Sequence, residues 1–264
     1  MRIRCLLATL AGLALAVPTN AQDLSGLPDP LVADRPDFTE STQTIAPGHV
    51  QVEGGVTFSR FGDEESQSLG EILVRIGASE RWEGRLGIGS YGRTDPGFDG
   101  AETISGYQDP FVGIKVRLNE SDPNLRAPGL PAASLLFSTT IPAGDDEVTA
   151  DEWQPQAKLL LAWSLPWFSL SSNLIYGYPV DGDERFHQFG ATLSAGFSLT
   201  DRVGMFVETF GFNKESENGS STQYIDGGVT FSVFNDLQLD ARIGFGLDDP
   251  SPNWFAGIGA AVRF

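Results

Sequence analysis

Cysteine is almost missing from this chain of 264 residues: Cys5 is the only one, and only two histidines, His49 and His187, accompany it. Beyond residue 5 there is no material for a disulfide, a thiolate metal site or a nucleophilic thiol. No stretch supplies about 20 uninterrupted apolar residues, so no transmembrane helix is expected. Basic residues are few, 17 against 35 acidic ones, giving a net charge of −18. That sign repels phosphates and excludes nucleic acid as an expected partner.

What is present begins with an export signal. Arg2 and Arg4 precede an apolar run from Cys5 to Val17, followed by Pro18 and a small-residue site at Thr19-Asn20-Ala21. This reads as a signal peptide over residues 1–21, cleaved before Gln22. Its removal would leave 15 basic against 35 acidic residues, a net formal charge of −20. Residues 22–47 then form a polar segment with Pro28, Pro30, Pro36 and Pro47 and no periodicity. It reads as a lead-in, or as a plug in which Asp34, Arg35, Asp37 and Glu40 fold back into a lumen. Residues 48–264 are expected to form one domain.

Alternation dominates that domain. In HVQVEGGVTFSR, Val50, Val52, Val56 and Phe58 share one parity and Gln51, Glu53, Thr57 and Ser59 the other. A strand sends successive side chains to opposite faces, so one face is apolar and the other wet. The pattern recurs about twelve times without a convincing helical stretch, and EGGVTFS at 53–59 has an echo in DGGVTFS at 226–232. The fold class is all-β, and the expectation is a transmembrane antiparallel up-and-down β-barrel of about 12 strands.

A soluble secreted β-sandwich would also alternate. Three features favour the barrel. Short turns at Ser79–Arg81, Leu165–Pro166, Thr200–Arg202 and Phe234–Asp236 alternate with longer acidic links such as FGDEES (61–66), TDPGFDGAETIS (94–105), AGDDEVTADE (143–152), VDGDE (180–184), KESENGSS (214–221) and DDPSPN (248–253). Aromatic residues gather near both ends of the strands, as membrane girdles require. The chain ends GAAVRF, with Phe264 on the outward parity, which resembles the terminal signature read by the outer-membrane barrel-assembly machinery. With an even strand count the short turns are periplasmic and the loops external. The 119–131 connection, long and proline-rich, departs from that rule.

The inward parity names candidate lumen-lining residues: Glu53, Glu71, Glu83, Asp109, Glu208, Asp226 and Asp240 against Arg75, Arg85, Lys115, Arg117, Lys158, Arg242 and Arg263, with Phe111, Phe206, Phe210 and Phe212 supplying apolar surface. Opposed charges either brace the wall or define a constriction. Twelve strands lie between barrels filled by side chains and open porins, so a narrow passage is expected.

Catalysis lacks residues: neither histidine lies in a His-x-Ser pairing, and no G-x-S-x-G elbow occurs. Gly87-Ile-Gly89-Ser-Tyr-Gly92 matches G-x-G-x-x-G, but no helix is expected after it; small residues at a barrel bend explain it better. Asp145-Asp146-Glu147 and Asp181-Gly-Asp183-Glu184 lack a full calcium-loop spacing. No cofactor is expected. The acidic loops would meet divalent ions near lipopolysaccharide, and the apolar face outer-membrane lipid.

RPDFTES (35–41), APGHVQVEGG (46–55), GYQDPFVGIKVRL (106–118), TTIPAGDD (139–146) and LQLDARIGFGLDD (237–249), in that order, resemble the outer-membrane β-barrel transporter family labelled for a meta-pathway (MetA-pathway) of phenol degradation. The resemblance covers about residue 33 to the end. It implies a channel for small solutes, aromatic or other hydrophobic compounds among them, and no catalytic residues. The alternatives are a structural or adhesive barrel working through its acidic loops and, behind it, a barrel enzyme.

Overall fold

A computed structural model describes residues 25–120 and 129–264. The signal-peptide reading over residues 1–21 and residues 121–128 of the 119–131 connection lie outside the described residues. Sixteen strands follow in order: β1 (Val50–Phe61), β2 (Glu64–Gly77), β3 (Trp82–Ile88), β4 (Tyr91–Asp95), β5 (Ile104–Tyr107), β6 (Phe111–Asn119), β7 (Ala132–Thr140), β8 (Pro155–Ser164), β9 (Ser169–Gly177), β10 (Val180–Asp181), β11 (Glu184–Arg185), β12 (Gln188–Ser198), β13 (Val203–Phe212), β14 (Thr222–Phe234), β15 (Leu237–Gly246) and β16 (Trp254–Arg263). Among the described residues no helix is long and apolar enough to cross a membrane.

All pairings are antiparallel, and the sheet closes because β1 pairs with both β2 and β16. The first and last strands meet over Gln51↔Arg263 to Arg60↔Trp254. Two of the twelve wall strands are broken. β3 and β4 pair in succession along β2, and β5 and β6 continue that break in the next wall strand. β10 and β11 form a separate small ribbon in the loop after β9. Closure removes every edge, which a sheet in hydrocarbon requires.

Side chains sort as the alternation predicts. Phe189, Ile243 and Ile258 are 56%, 52% and 61% exposed on the outside of the wall, whereas Glu53, Arg75, Glu83 and Lys115 are buried inside. An apolar exterior of this extent is stable only against lipid, since each large side chain left in water forfeits about 1.5–3 kcal/mol of burial. Outward Trp82, Phe197 and Phe264 lie at the turn end, and Phe58, Phe189 and Trp254 at the loop end.

Four local expectations are corrected. FGDEES is not a loop: the strands run on to Phe61 and from Glu64, leaving Gly62-Asp63 as a tight turn with Gly62 at φ 60°. TDPGFDGAETIS is partly wall, since β4 extends to Asp95 and β5 starts at Ile104. VDGDE carries the β10–β11 ribbon. Asp109 lies in the break between β5 and β6, where its Oδ1 accepts the N–H groups of Ala143 (3.0 Å) and Gly144 (2.9 Å) and ties down the β7–β8 loop.

The glycine repeat at 87–92 marks the other break. A Cβ on Gly87 would run into the Phe111 ring, and one on Gly89 into the Gln108 carbonyl. The wall strand is interrupted here, and the missing side chains let the Phe111 ring and the Gln108 carbonyl approach the backbone.

Candidate functional site

The lumen is occupied by the chain's own amino-terminal segment. It enters at the turn end, where Ser25 N–H and Oγ donate to Asp236, and Arg263 Nε donates to the same carboxylate at 2.8 Å. Asn235 Nδ2 holds the Pro28 carbonyl at 2.7 Å, and Arg263 Nη2 holds that of Asp29 at 2.7 Å. From there the segment rises through the lumen to Phe38, crosses it, and returns to the turn end, where Gly48 N–H bonds the Gly77 carbonyl.

On the side of β1, β2, β3 and β6 the anchorage is ionic. Asp34 accepts Arg85 Nη1 at 2.6 Å and Lys115 Nζ at 2.9 Å, with Arg75 Nη1 at 3.5 Å. Arg75 also pairs with Glu53 at 2.9 Å and Glu83 at 3.0 Å. These side chains are 3% exposed or less. Buried charges survive only if paired and hydrogen-bonded, and here they grip both legs of the segment. Arg75 donates to the Val32 and Gln43 carbonyls at 3.0 Å each, and Lys115 to Ser41 O at 2.9 Å. Burial would raise the Asp34 pKa, but Arg75, Lys115 and Arg85 hold its carboxyl well below the ordinary value.

Beside this cluster, Arg35 reaches Glu71 at 2.7 Å and Asp240 at 3.5 Å, and Arg242 Nη1 donates to the Pro36 carbonyl at 2.9 Å. Space for Arg35 comes from Gly55 and Gly259, cross-strand partners whose Cβ atoms would collide with the guanidinium.

Across the lumen, on β8, β9, β12, β13 and β14, the contacts are of another kind. Phe38 stacks on Phe210 with centroids 4.6 Å apart and meets Phe212 edge-on at 5.8 Å; Phe210 stacks in turn on Tyr224. The Glu40 N–H donates to Asn173 Oδ1 at 2.8 Å, and Asn173 Nδ2 returns a bond to the Glu40 carbonyl at 3.1 Å. The Thr39 hydroxyl lies 2.7 Å from Thr192 Oγ1 and bonds Glu208, which also accepts Phe38 N–H at 2.6 Å. Ser194 donates to Asp37 at 3.2 Å. Burial, together with the charge of nearby Glu208, pushes the Asp37 carboxyl well above the ordinary value. Asp226, opposite Glu208 in the β13–β14 ladder, is buried with neither oxygen bonded.

Two cavities flank this softer contact. One, of about 340 Å³, opens at the loop end over Glu40, Lys158, Phe111 and Tyr178. The other, of about 660 Å³, lies towards the turn end beneath Asp37, among Ser164, Ser171, Ser194 and Phe206. Phe38 and Thr39, the two residues between Asp37 and Glu40, separate them in the chain.

Thus Glu53, Glu71, Arg75, Arg85, Lys115, Lys158, Glu208, Phe210, Asp240, Arg242 and Arg263 each touch the segment. Phe111 lines the loop-end cavity and Phe206 the other. Arg117 sits at the turn end with Glu120 at 3.0 Å. Phe38, Thr39, Asn173 and Thr192 were not singled out by sequence. The available signals were a lone aromatic in a polar segment and an inward amide on a serine-rich strand.

Among the described residues no three His, Cys, Asp or Glu side chains are grouped to hold a metal ion. Ser25, His49 and Asp236 do converge, but His49 Nε2 contacts the Ser25 carbonyl at 3.2 Å and the aspartate binds the serine, not the imidazole. That order cannot relay a proton from the hydroxyl. His187 lies at the opposite end, bonded to the Tyr176 hydroxyl at 2.9 Å.

A family model described as "Putative MetA-pathway of phenol degradation" matches residues 33–264. Among solved structures, the COG4313 outer membrane channel from Pseudomonas putida F1 is similar at a TM-score of 0.67 and 13% identity, covering 84% of this chain and 98% of that one. The KdgM porin is similar at a TM-score of 0.53 and 7% identity (81% and 99% covered), and the NanC porin at 0.50 and 10% (81% and 98% covered). At such identities the likeness is one of fold, that of the outer-membrane barrel. No curated protein matches the sequence.

Proposed function

The chain belongs to the "Putative MetA-pathway of phenol degradation" family, and from that premise we propose that it is an outer-membrane channel for the passive passage of small solutes, aromatic or hydrophobic compounds among them. The observation that carries this reading is the pair of cavities meeting at one short stretch of the amino-terminal segment. That stretch is held by an aromatic stack, a few hydrogen bonds and the long Glu40 contacts to Lys158 and Arg85, while the leg before it is held by buried ion pairs and the leg after it by backbone hydrogen bonds to the same buried charges. A solute path along β8, β9 and β12 needs only that stretch to move. In the same reading residues 25–47 are the occluding element, the lumen charges chiefly brace it, Phe264 is the contact for barrel assembly, and the acidic loops meet the lipopolysaccharide layer.

Single-channel conductance of the refolded protein in a planar lipid bilayer tests the proposal. Small discrete current steps are expected. A folded barrel that passes neither ions nor small neutral solutes would overturn the channel reading in favour of a structural or adhesive barrel acting through its loops.

A further inference from the structure

The loop-end cavity has a chemistry of its own. At about 340 Å³ it falls at the lower end of small-molecule pockets. Phe111, Leu136 and Tyr178 give it apolar surface, and Glu40, Lys158 and Arg85 bring charge to it. Of these, Glu40 and Lys158 are loosely satisfied, while Arg85 is held chiefly by Asp34. Lys158 Nζ and Arg85 Nη2 share one oxygen of Glu40, Oε1, at 3.3 and 3.5 Å, whereas Asp34 in the neighbouring cluster is gripped at 2.6 and 2.9 Å. The second oxygen, Glu40 Oε2, is buried and accepts no bond, and Arg85 Nε is likewise buried without a partner.

A buried acceptor left open costs free energy that a ligand donor recovers. Burial would raise the Glu40 pKa, but Lys158 and Arg85 lower it below the ordinary value, so the group is an acceptor at neutral pH. Lys158 has an ammonium with three donors, of which the contact to Glu40 uses one. A solute group that fits must therefore donate one hydrogen bond and accept another from almost the same point. A hydroxyl does both; a carboxylate would compete with Glu40 for the cations, and an ether cannot donate.

We propose that this cavity is a docking site for a solute carrying a hydroxyl group on an aromatic or apolar frame, with Glu40 accepting from the hydroxyl, Lys158 donating to it, and Phe111, Leu136 and Tyr178 packing on the frame. The assignment rests on the channel reading above and adds to it a selectivity for the donor proton. Because Glu40 belongs to the occluding stretch, a docked solute touches the element that must move for passage.

The test is current blockade in planar bilayers by phenol, by its methyl ether anisole and by benzoate, each at matched free aqueous concentration. Phenol is expected to block at about tenfold lower concentration than anisole, the factor supplied by about 1.4 kcal/mol, and benzoate to block less well than phenol. Glu40→Gln and Lys158→Met should each bring the phenol-to-anisole ratio towards one, a readout that a merely structural loosening of the segment would not move. Equal blockade by phenol and anisole, a ratio unchanged in both variants, or stronger blockade by benzoate would each overturn the assignment. Current steps that none of the probes blocks would remove the site and leave the channel standing. If no current is seen, saturation-transfer NMR of phenol against anisole on the folded protein decides the site separately, with preferential transfer to phenol supporting it and equal transfer overturning it.

Discussion

The two halves of the lumen hold the same segment by different means. On the β1–β6 side, Asp34 is the centre of a buried cluster in which it binds Arg75, Arg85 and Lys115, and the two arginines are shared with Glu53 and Glu83. On the β9–β14 side the segment rests on an aromatic stack, an amide pair and a threonine, beside Asp37 and Asp226, which among the described residues have no basic partner within ion-pair distance. Inside a narrow barrel this asymmetry separates two tasks. Ion pairs that are fully desolvated fix position, because leaving one charge alone is costly. Contacts worth about 1 kcal/mol each can break and re-form without unfolding the wall.

The largest effect should come from breaking the ionic half. Asp34→Asn leaves Arg75, Arg85 and Lys115 with one carboxylate too few. A loss of about 3–5 kcal/mol in segment docking is expected, read as faster proteolysis within residues 25–47 while the barrel itself remains folded. A variant as resistant as the parent would show that the cluster does not hold the segment.

pH should separate the halves by sign. For Asp34 the docked pKa lies below the ordinary 3.8, so its contribution is present above that value and lost as pH falls through the docked one. For Asp37 the docked pKa lies above 3.8, so its contribution is present at low pH and lost as pH rises towards the docked value. Protease resistance of the segment should therefore fall below pH 3.8 through Asp34 and fall above pH 3.8 through Asp37, and Asp37→Asn should flatten the higher-pH limb alone. If Asp37→Asn leaves that limb unchanged, Asp37 is not its source.

A smaller effect is expected in the soft half. Thr39→Val keeps the shape of the side chain but removes the hydroxyl shared with Thr192 and Glu208. It should cost about 1 kcal/mol of docking and raise the frequency of brief current openings. A loss as large as that of Asp34→Asn would erase the distinction between the halves.

Much of this was legible from the residues. Alternation with period two assigned Glu53, Arg75, Arg85, Lys115 and Glu208 to the interior, because a strand offers only two faces and lipid tolerates none of these charges. Parity also counted the wall strands, but the break at Gly87 and Gly89 read only as small residues, since a break in a ladder is defined by the neighbouring strand. The FGDEES stretch misled because its charges suit a loop, whereas Glu64 and Glu65 extend a hairpin beyond its Gly62 turn. Asp109 followed strand parity on paper and was displaced by the same break. The segment's path was beyond sequence pattern: Phe38, Thr39 and Glu40 have no period, and their partners Phe210, Thr192 and Asn173 lie 130 or more residues away.

The central claim is that residues 25–47 occlude the lumen and that the soft half sets the passage. It is tested most directly by comparing single-channel conductance of the parent with that of a chain lacking Asp34–Gln43, with folding of both checked by the heat-dependent shift in electrophoretic mobility typical of closed barrels. A several-fold rise in conductance on deletion is the predicted result. Unchanged conductance from a demonstrably folded deletion variant would contradict the account.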